Sequence, residues 1–313
     1  MPITVVGSIA YDTVKTPFGE RQRMLGGAAV HFALAASFFD DVRVVGPVGD
    51  DFGEEQLEVM RRRGVDVSDV EQVRGGRTFF WQGEYGWDLN SRETLDTQLG
   101  VFEGFSPKLS ERSRSSDVLF LANIQPELQQ QVRGQLPDAR FVALDSMNLW
   151  IDIARDSLVA AIESVDCVIL NDAELRQLTD KPNLVSAARE IISWGPRVVV
   201  AKQGEYGAAL VTRDGFFALP AYPLESVVDP TGAGDTFAGG FVGLIASQLD
   251  SGLDGDVLRN AMAYGTSLAS YSVERFGTEA LASDEIDGAA VRRRVDHLWR
   301  FCRFDRLDVT LRS

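Results

Sequence analysis

Six short runs of aliphatic and β-branched residues, at 3–9, 42–48, 118–122, 141–144, 168–170 and 198–201, constrain this chain's fold more than any other feature. Most are apolar without alternating polar positions, the pattern of strands covered on both faces. Between them, stretches near 28–39, 54–63, 127–136, 153–164 and 185–194 have helical periodicity. Strand and helix in alternation predict a mainly parallel central sheet with helices on both sides, a three-layer α/β/α architecture. Beyond residue 235 the chain turns helical, with helices expected at 236–249, 257–271 and 286–301.

Residues 75–105 break the rhythm. They hold no good helix, but 78–87 (TFFWQGEYGW) is aromatic and strand-like. Together with 12–25 this stretch predicts a small antiparallel sheet beside the main one. No repeat, low-complexity tract or linker interrupts the chain, so residues 1–313 read as one domain with that embellishment.

The 313 residues are 45% hydrophobic and 25% charged, as in globular proteins. No apolar run approaches the roughly 18–20 residues of a membrane span, and no charged-then-apolar leader opens the chain. A cytoplasmic protein with no membrane partner is expected. Cys167 and Cys302 have neither metal-ligand spacing nor a disulfide framework. The net charge of −15 argues against a nucleic-acid partner, which needs a basic face. Only four of the 31 basic residues are lysines: Lys15, Lys108, Lys181 and Lys202.

Residues 227–241 (VVDPTGAGDTFAGGF) carry the most chemistry. A turn rich in Gly and Pro delivers Asp235 to the start of an apolar helix, in which Phe237, Phe241, Leu244 and Leu249 recur at roughly helical spacing. Gly232 and Gly234 allow a tight turn whose N–H groups converge, and the positive end of the helix completes an anion site. An anion cradle with a carboxylate at its rim suits phosphoryl transfer, where donors hold moving charge and a base takes a hydroxyl proton. An ordinary loop-to-helix junction with a capping Asp uses the same residue types.

The full string resembles the C-terminal signature of the ribokinase-like family, the phosphofructokinase-B type of sugar and nucleoside kinases. That resemblance implies the ribokinase-like form of the α/β/α fold, with the small sheet as a lid over the substrate. It implies Asp235 as catalytic base and the backbone of Gly232, Ala233, Gly234 and Asp235 as anion hole. Asp229, with nearby carbonyls, matches the family's monovalent-cation site. ATP, magnesium and potassium follow as cofactors, a sugar or nucleoside as acceptor, and a homodimer through the lid as an assembly.

Other segments resemble the same family in the expected order. Gly26, Gly27 and His31 (GGAAVH) stand where Gly-Gly-x-x-x-Asn contacts substrate hydroxyls, with His in place of Asn. An imidazole still donates and accepts, but it is bulkier and can charge. Asp12 matches the acidic residue that accepts from two sugar hydroxyls. Asn171 and Glu174 (NDAE) match an Asn-x-x-Glu motif that orders magnesium-bound water and phosphates, although Asn171 would equally cap a helix. Lys202 and Gly204 (KQGEYG) match the nucleotide-side loop. Open α/β sheets bind ligands beyond the carboxyl ends of their strands, and Asp12, Asn123, Asp145, Asn171 and Lys202 all fall there. Residues 145–150 (DSMNLW) lack the Arg of the Asp-x-Asn-x-Arg pattern common in fructose and sugar-acid kinases.

The chain therefore reads as a kinase of a sugar or nucleoside hydroxyl. A non-catalytic sugar sensor on the same fold stays open, although the intact Asp235 and glycines speak against it. Residues 228–234 (VDPTGAG) also resemble the Asp-x-Gly-x-Gly loop of SAM-dependent methyltransferases, but that loop follows a first strand, and most of the alternating pattern here precedes it. No Gly-x-x-x-x-Gly-Lys P-loop is present.

Overall fold

The apolar runs form strands, and alternate residues along them feed two separate cores. The structure, a computed structural model, describes residues 1–303. Its strands are β1 (Ile3–Val6), β2 (Ala10–Thr16), β3 (Gly19–Gly26), β4 (Val42–Val48), β5 (Asp66–Gln72), β6 (Phe79–Tyr85) and β7 (Arg92–Gln98). They continue with β8 (Val118–Leu121), β9 (Phe141–Leu144), β10 (Cys167–Asn171), β11 (Val198–Lys202), β12 (Ala208–Thr212) and β13 (Phe216–Leu219). Nine of them form the main sheet in the order β13-β12-β11-β10-β9-β8-β1-β4-β5. From β5 to β11 every pairing is parallel, and the β12–β13 hairpin adds an antiparallel edge.

Ile3, Val5, Phe120, Phe141 and Ala143 enter one core with Phe32, Phe241 and Met262. Val6, Leu119, Leu121, Val142 and Leu144 enter the other with Leu158, Leu175 and Ile191. Helices Ala28–Ala36, Ala233–Gln248 and Gly255–Ser272 pack together on the first side, where Phe32 stacks on Phe120 at 4.1 Å. Every residue of Ala28–Ala36 is buried, so this helix is enclosed around its whole circumference, with His31 its one polar side chain.

Four local outcomes differ from the sequence reading. The strand expected over 3–9 stops at Val6, because the Ser8 hydroxyl accepts from the Ala28 N–H (3.0 Å) and its carbonyl from the Ala29 N–H (3.1 Å). That commits the backbone after β1 to the start of a helix. The helix expected at 153–164 forms as Arg155–Glu163, and an unanticipated short helix, Asn148–Ile153, precedes it, parted from it at Ala154. Strands β5, β12 and β13 were not anticipated. Of these, β5 (DVSDVEQ) and β13 lie at the sheet edges with exposed positions and so carry no continuous apolar run.

The fourth difference lies in the small sheet, which has the order β3-β2-β6-β7. It is antiparallel within β2–β3 and within β6–β7, but the central β2–β6 pairing is parallel. It places Asp12 of β2 opposite Met24 of β3 and Trp81 of β6. In the main sheet, parallel register brings the ends of β1, β8, β9, β10 and β11 to one edge, with Val6 beside Leu121, Leu121 beside Leu144, and Asn171 beside Lys202.

Candidate active site

The turn before helix Ala233–Gln248 is held from below by Asp229. This carboxylate is fully buried and accepts from the Thr231 N–H (Oδ1, 2.9 Å) and the Gly277 N–H (Oδ2, 2.9 Å). The Val228 N–H donates to the Val273 carbonyl at 2.7 Å, so residues 227–231 are pinned to the segment after helix Gly255–Ser272. Gly232 follows with φ of +73°, and a Cβ there would lie 2.4 Å from the His31 ring. Both the left-handed backbone and the contact demand glycine. Ala233, expected among the anion-hole donors, turns its N–H back to the Pro230 carbonyl (3.2 Å). The Gly232 and Gly234 N–H groups have no protein partner among the described residues, and they open at the positive end of a 16-residue helix.

Asp235 sits in the first turn of that helix, partly buried. Burial, then the neighbouring Asp145 charge, pushes its carboxyl up to about 7, with Lys202 opposing. Lys202 reaches in from the end of β11. Its Nζ pairs with Asp145 Oδ2 at 2.7 Å and lies 3.2 Å from where a Gly234 Cβ would be. Burial works against the Lys202 charge, but Asp145, Glu174 and Asp235 outweigh it and raise the ammonium's pKa. Glu174 is likewise pushed up to about 7, by burial and then by Asp145 against the pull of Lys202. Three carboxylates thus surround one ammonium.

Asn171 and Glu174 form a reciprocal capping box at helix Asp172–Thr179, each side chain accepting from the other's N–H at 2.8 Å. Capping and membership of the charged cluster coexist. Gly204 lies in the turn after Lys202 with φ of +57°. Asn123, at the end of β8, is engaged by the Trp150 indole N–H at 3.0 Å.

Asp12 occupies the other side of the cleft, buried at 6% exposure. A Cβ on Gly26 would come within 2.0 Å of its carboxylate, so that glycine makes room for the acid. The Asp12 carboxyl is pushed up to about 7 by burial, then by the charges of Asp229 and Asp235, while the Gly27 N–H opposes the shift. Asp12 is therefore electrostatically joined to Asp235 across 223 residues of sequence. Gly27, with φ of +98°, starts helix Ala28–Ala36.

His31 is not where the sequence reading placed it. The side chain is 1% exposed and sealed under Gly232, instead of facing an acceptor pocket. The reason is the wholly buried helix that carries it, pressed against helix Ala233–Gln248. Neither ring nitrogen finds a partner, and burial pushes its pKa down to about 4, so the ring is neutral at pH 7.

The small sheet adds two residues the sequence reading did not single out. The Thr231 hydroxyl donates to Tyr85 Oη at 3.2 Å, docking the end of β6 on the anion turn. Arg92 opens β7 directly opposite Tyr85, and its charge acts on Asp12, Tyr85, Glu174 and Asp235. No sequence signal marks Arg92, since β7 (RETLDTQ) is polar and mostly exposed. Among the described residues no group of three or more His, Cys, Asp or Glu is arranged to hold a metal ion by itself.

Comparison with known proteins agrees with this geometry. Residues 3–285 match the pfkB family of carbohydrate kinases. A cytidine kinase of Thermococcus kodakarensis is 32% identical over 77% of this chain and 87% of its own. In the solved structures, a putative ribokinase II from E. coli in complex with ATP and magnesium superimposes with a TM-score of 0.78 at 18% identity, covering 94% of this chain and 99% of that one. A Burkholderia thailandensis nucleoside kinase in complex with inosine gives 0.77 at 21%, covering 95% and 99%. The methyltransferase alternative falls on both counts, since residues 229–234 follow β13, the last strand of the sheet in sequence. With its charged cluster gathered at the strand ends around a glycine turn, the chain belongs to the pfkB family of carbohydrate kinases, phosphotransferases that use a hydroxyl as acceptor.

Proposed function

We propose that this kinase transfers the γ-phosphoryl group of ATP to a hydroxyl of a nucleoside or free sugar, with Asp235 as general base. The observation that carries this reading is the position of Asp235, beside the open N–H groups of Gly232 and Gly234 and within electrostatic reach of both Asp12 and Lys202. Asp12 binds acceptor hydroxyls, which places one of them toward Asp235. Asp235 takes the hydroxyl proton as the oxygen attacks the γ-phosphorus, and the bond from that phosphorus to the bridging oxygen breaks to release ADP. The glycine N–H donors and the Lys202 ammonium hold the charge that develops on the phosphoryl oxygens.

The surplus of carboxylate over ammonium at Asp145, Glu174 and Asp235 fits a divalent cation. With no all-protein cluster among the described residues, magnesium would be held by phosphate oxygens and water, with Glu174 and Asn171 ordering that water. When bound, it supplies charge neutralisation on the phosphates. Potassium beside Asp229 would steady the anion turn. Lys202 and Gly204 form the nucleotide side, and the small sheet acts as a lid on a single kinase domain.

A nucleoside acceptor is favoured over a free sugar, because the Thermococcus relative is a cytidine kinase and the Burkholderia structure holds inosine. The free thiols of Cys167 and Cys302 suit a reducing cytoplasm. The test is ATP consumption across a panel of nucleosides, pentoses and hexoses. Asp235→Asn should keep nucleotide binding and lose roughly 10²–10⁴-fold in kcat. A variant within threefold of the parent rate removes Asp235 from the mechanism, and no ATP-dependent product from any acceptor favours a sensor.

A further inference from the structure

Helix Gly288–Cys302 and the segment after β13 border a cavity of about 440 Å³ that shares no residue with the charged cleft. Tyr222 and Tyr271 line it together with Arg293, Arg294, His297 and Arg300 of the helix. Arg293, His297 and Arg300 follow at intervals of four and three and so share one helix face, with about 10 Å along the axis from first to last. Arg293 and Arg300 are exposed and form no ion pair among the described residues. Asp296 is the one acid in the lining, against three arginines, in a chain whose net charge is −15.

Arg294 is the fixed member of the group. Its side chain is 14% exposed, and its guanidinium packs on two rings, 3.4 Å from the centre of Tyr271 and 4.8 Å from that of Tyr222. Nη1 donates to Ser270 Oγ (3.0 Å) and Glu274 Oε2 (2.8 Å), whereas Nε and Nη2 donate to no protein atom among the described residues. That guanidinium is set before any ligand arrives, and its remaining donors match two oxygens of one anion. The volume exceeds that of a bare phosphate ion and suits a phosphate carried on a sugar or nucleoside. Glu274 leads back to the anion turn. It adjoins Val273, whose carbonyl accepts from the Val228 N–H (2.7 Å), and the Gly277 N–H beyond it donates to Asp229 (2.9 Å).

We propose that this cavity binds a phosphomonoester, a dianionic phosphate on a sugar or nucleoside body, and that its occupation slows phosphoryl transfer. Arg293, Arg294 and Arg300 take the phosphate, which leaves Asp296 to accept from hydroxyls of the body. The bound charge competes with Glu274 for Arg294. Segment 273–277 then loosens, and the N–H groups of the anion turn lose their aim. No covalent bond changes. Phosphomonoesters are the class of product that the kinase reading assigns, so the site answers to product accumulation. The effect on transfer rests on that reading; the binding site does not.

The test titrates the full chain by calorimetry with cytidine 5′-monophosphate, ribose 5-phosphate and inorganic phosphate. Two variants accompany it: Arg293→Ala/Arg300→Ala, which removes two exposed side chains, and Asp12→Ala, which alters the cleft. At least one ester should bind at a site that the arginine variant weakens by roughly tenfold or more and that Asp12→Ala leaves within about twofold. Tighter binding of cytidine 5′-monophosphate identifies a nucleoside body, and of ribose 5-phosphate a sugar body. Inorganic phosphate bound as tightly as either ester, affinity lost in Asp12→Ala but not in the arginine variant, or no binding at all overturns the site. In kinetics at saturating acceptor, the tighter ester should lower kcat by roughly three- to tenfold. The arginine variant should keep the parent kcat and lose that response, whereas Glu274→Gln should start from a lower kcat and fall no further. An ester that binds at the arginines and leaves kcat unchanged, or a Glu274→Gln enzyme with the parent kcat and full response, overturns the coupling. A chain without kinase turnover sinks the kinase reading, and calorimetry still decides the site.

Discussion

In the proposed reaction Asp235 takes the acceptor proton, and its environment sets the pH at which it can do so. A carboxyl pushed up to about 7 by burial and by Asp145 is half protonated near neutrality, and only the ionised form accepts a proton. The kcat/KM of the free enzyme should therefore rise with pH along a limb centred near 7 and level off above it. Asp145→Asn removes the charge that disfavours ionisation and leaves Lys202, whose pairing with Asp145 at 2.7 Å is then lost, to favour it. Both changes act in one direction, and the limb should move down by roughly one unit. A limb that stays in place, measured across pH 5–9, would separate Asp145 from the base. His31 shows how burial redirects a residue that resemblance assigns to substrate. With no accessible face, it supports Gly232 by shape, as a neutral ring.

The element on which the proposed transfer depends is the turn at 227–232 joined to helix Ala233–Gln248. The helix supplies an oriented dipole, and the turn aims N–H groups at its mouth. Asp229 determines the aim, because its two oxygens tie Thr231 and Gly277 into one piece. Burial pushes the Asp229 carboxyl up, so its charge is held at a cost that a nearby monovalent cation would offset. Replacing potassium by tetramethylammonium at equal ionic strength should lower kcat by about tenfold through loss of preorganised donors, with little change in acceptor KM. Turnover indifferent to that exchange rules out a cation at Asp229. The element itself was legible in sequence, since the Gly-Ala-Gly-Asp turn and the apolar spacing after it are local. Its contact with residues 273–277 was not.

At the scale of the whole molecule, the cleft stores unfavourable charge. Asp12, Glu174 and Asp235 are each pushed up to about 7. Between roughly pH 4 and 7 the folded chain therefore binds more protons than the unfolded one at these sites, and their contribution to stability is lost as pH rises through 7. His31 has the opposite sign. With its pKa pushed down to about 4 from 6.5, its contribution is present above 6.5 and is lost as pH falls toward 4. Three groups against one predict that the ligand-free protein gains roughly 3–6 °C in Tm as pH falls from 8 to about 5.5. The double variant Asp12→Asn/Asp235→Asn should flatten that rise. A Tm that falls over the same interval in calorimetry would contradict the charge balance drawn from the cleft. No helix among the described residues is long and apolar enough to cross a membrane.

Local periodicity alone determined most of the architecture. Runs such as 118–122 and 141–144 have no polar face to leave in water, so they had to be central strands, and alternation with helices made them parallel. The glycine turn and Asp235 were equally legible, because every residue of that device is adjacent in the chain. The tertiary structure decided what depends on pairing between distant segments. Only the β2–β6 register, parallel where the sequence reading had a small antiparallel sheet, puts Asp12 and the small sheet over the same cleft. Only the β9, β10 and β11 alignment makes one charged cluster of Asp145, Glu174 and Lys202. Arg92 lies in a polar strand like any other until Tyr85 docks on Thr231, and His31 looks like a substrate contact until two helices close over it. Hydrophobic pattern is read residue by residue along a chain, whereas the field inside a cleft is a sum over groups that only the completed packing brings within a few ångströms.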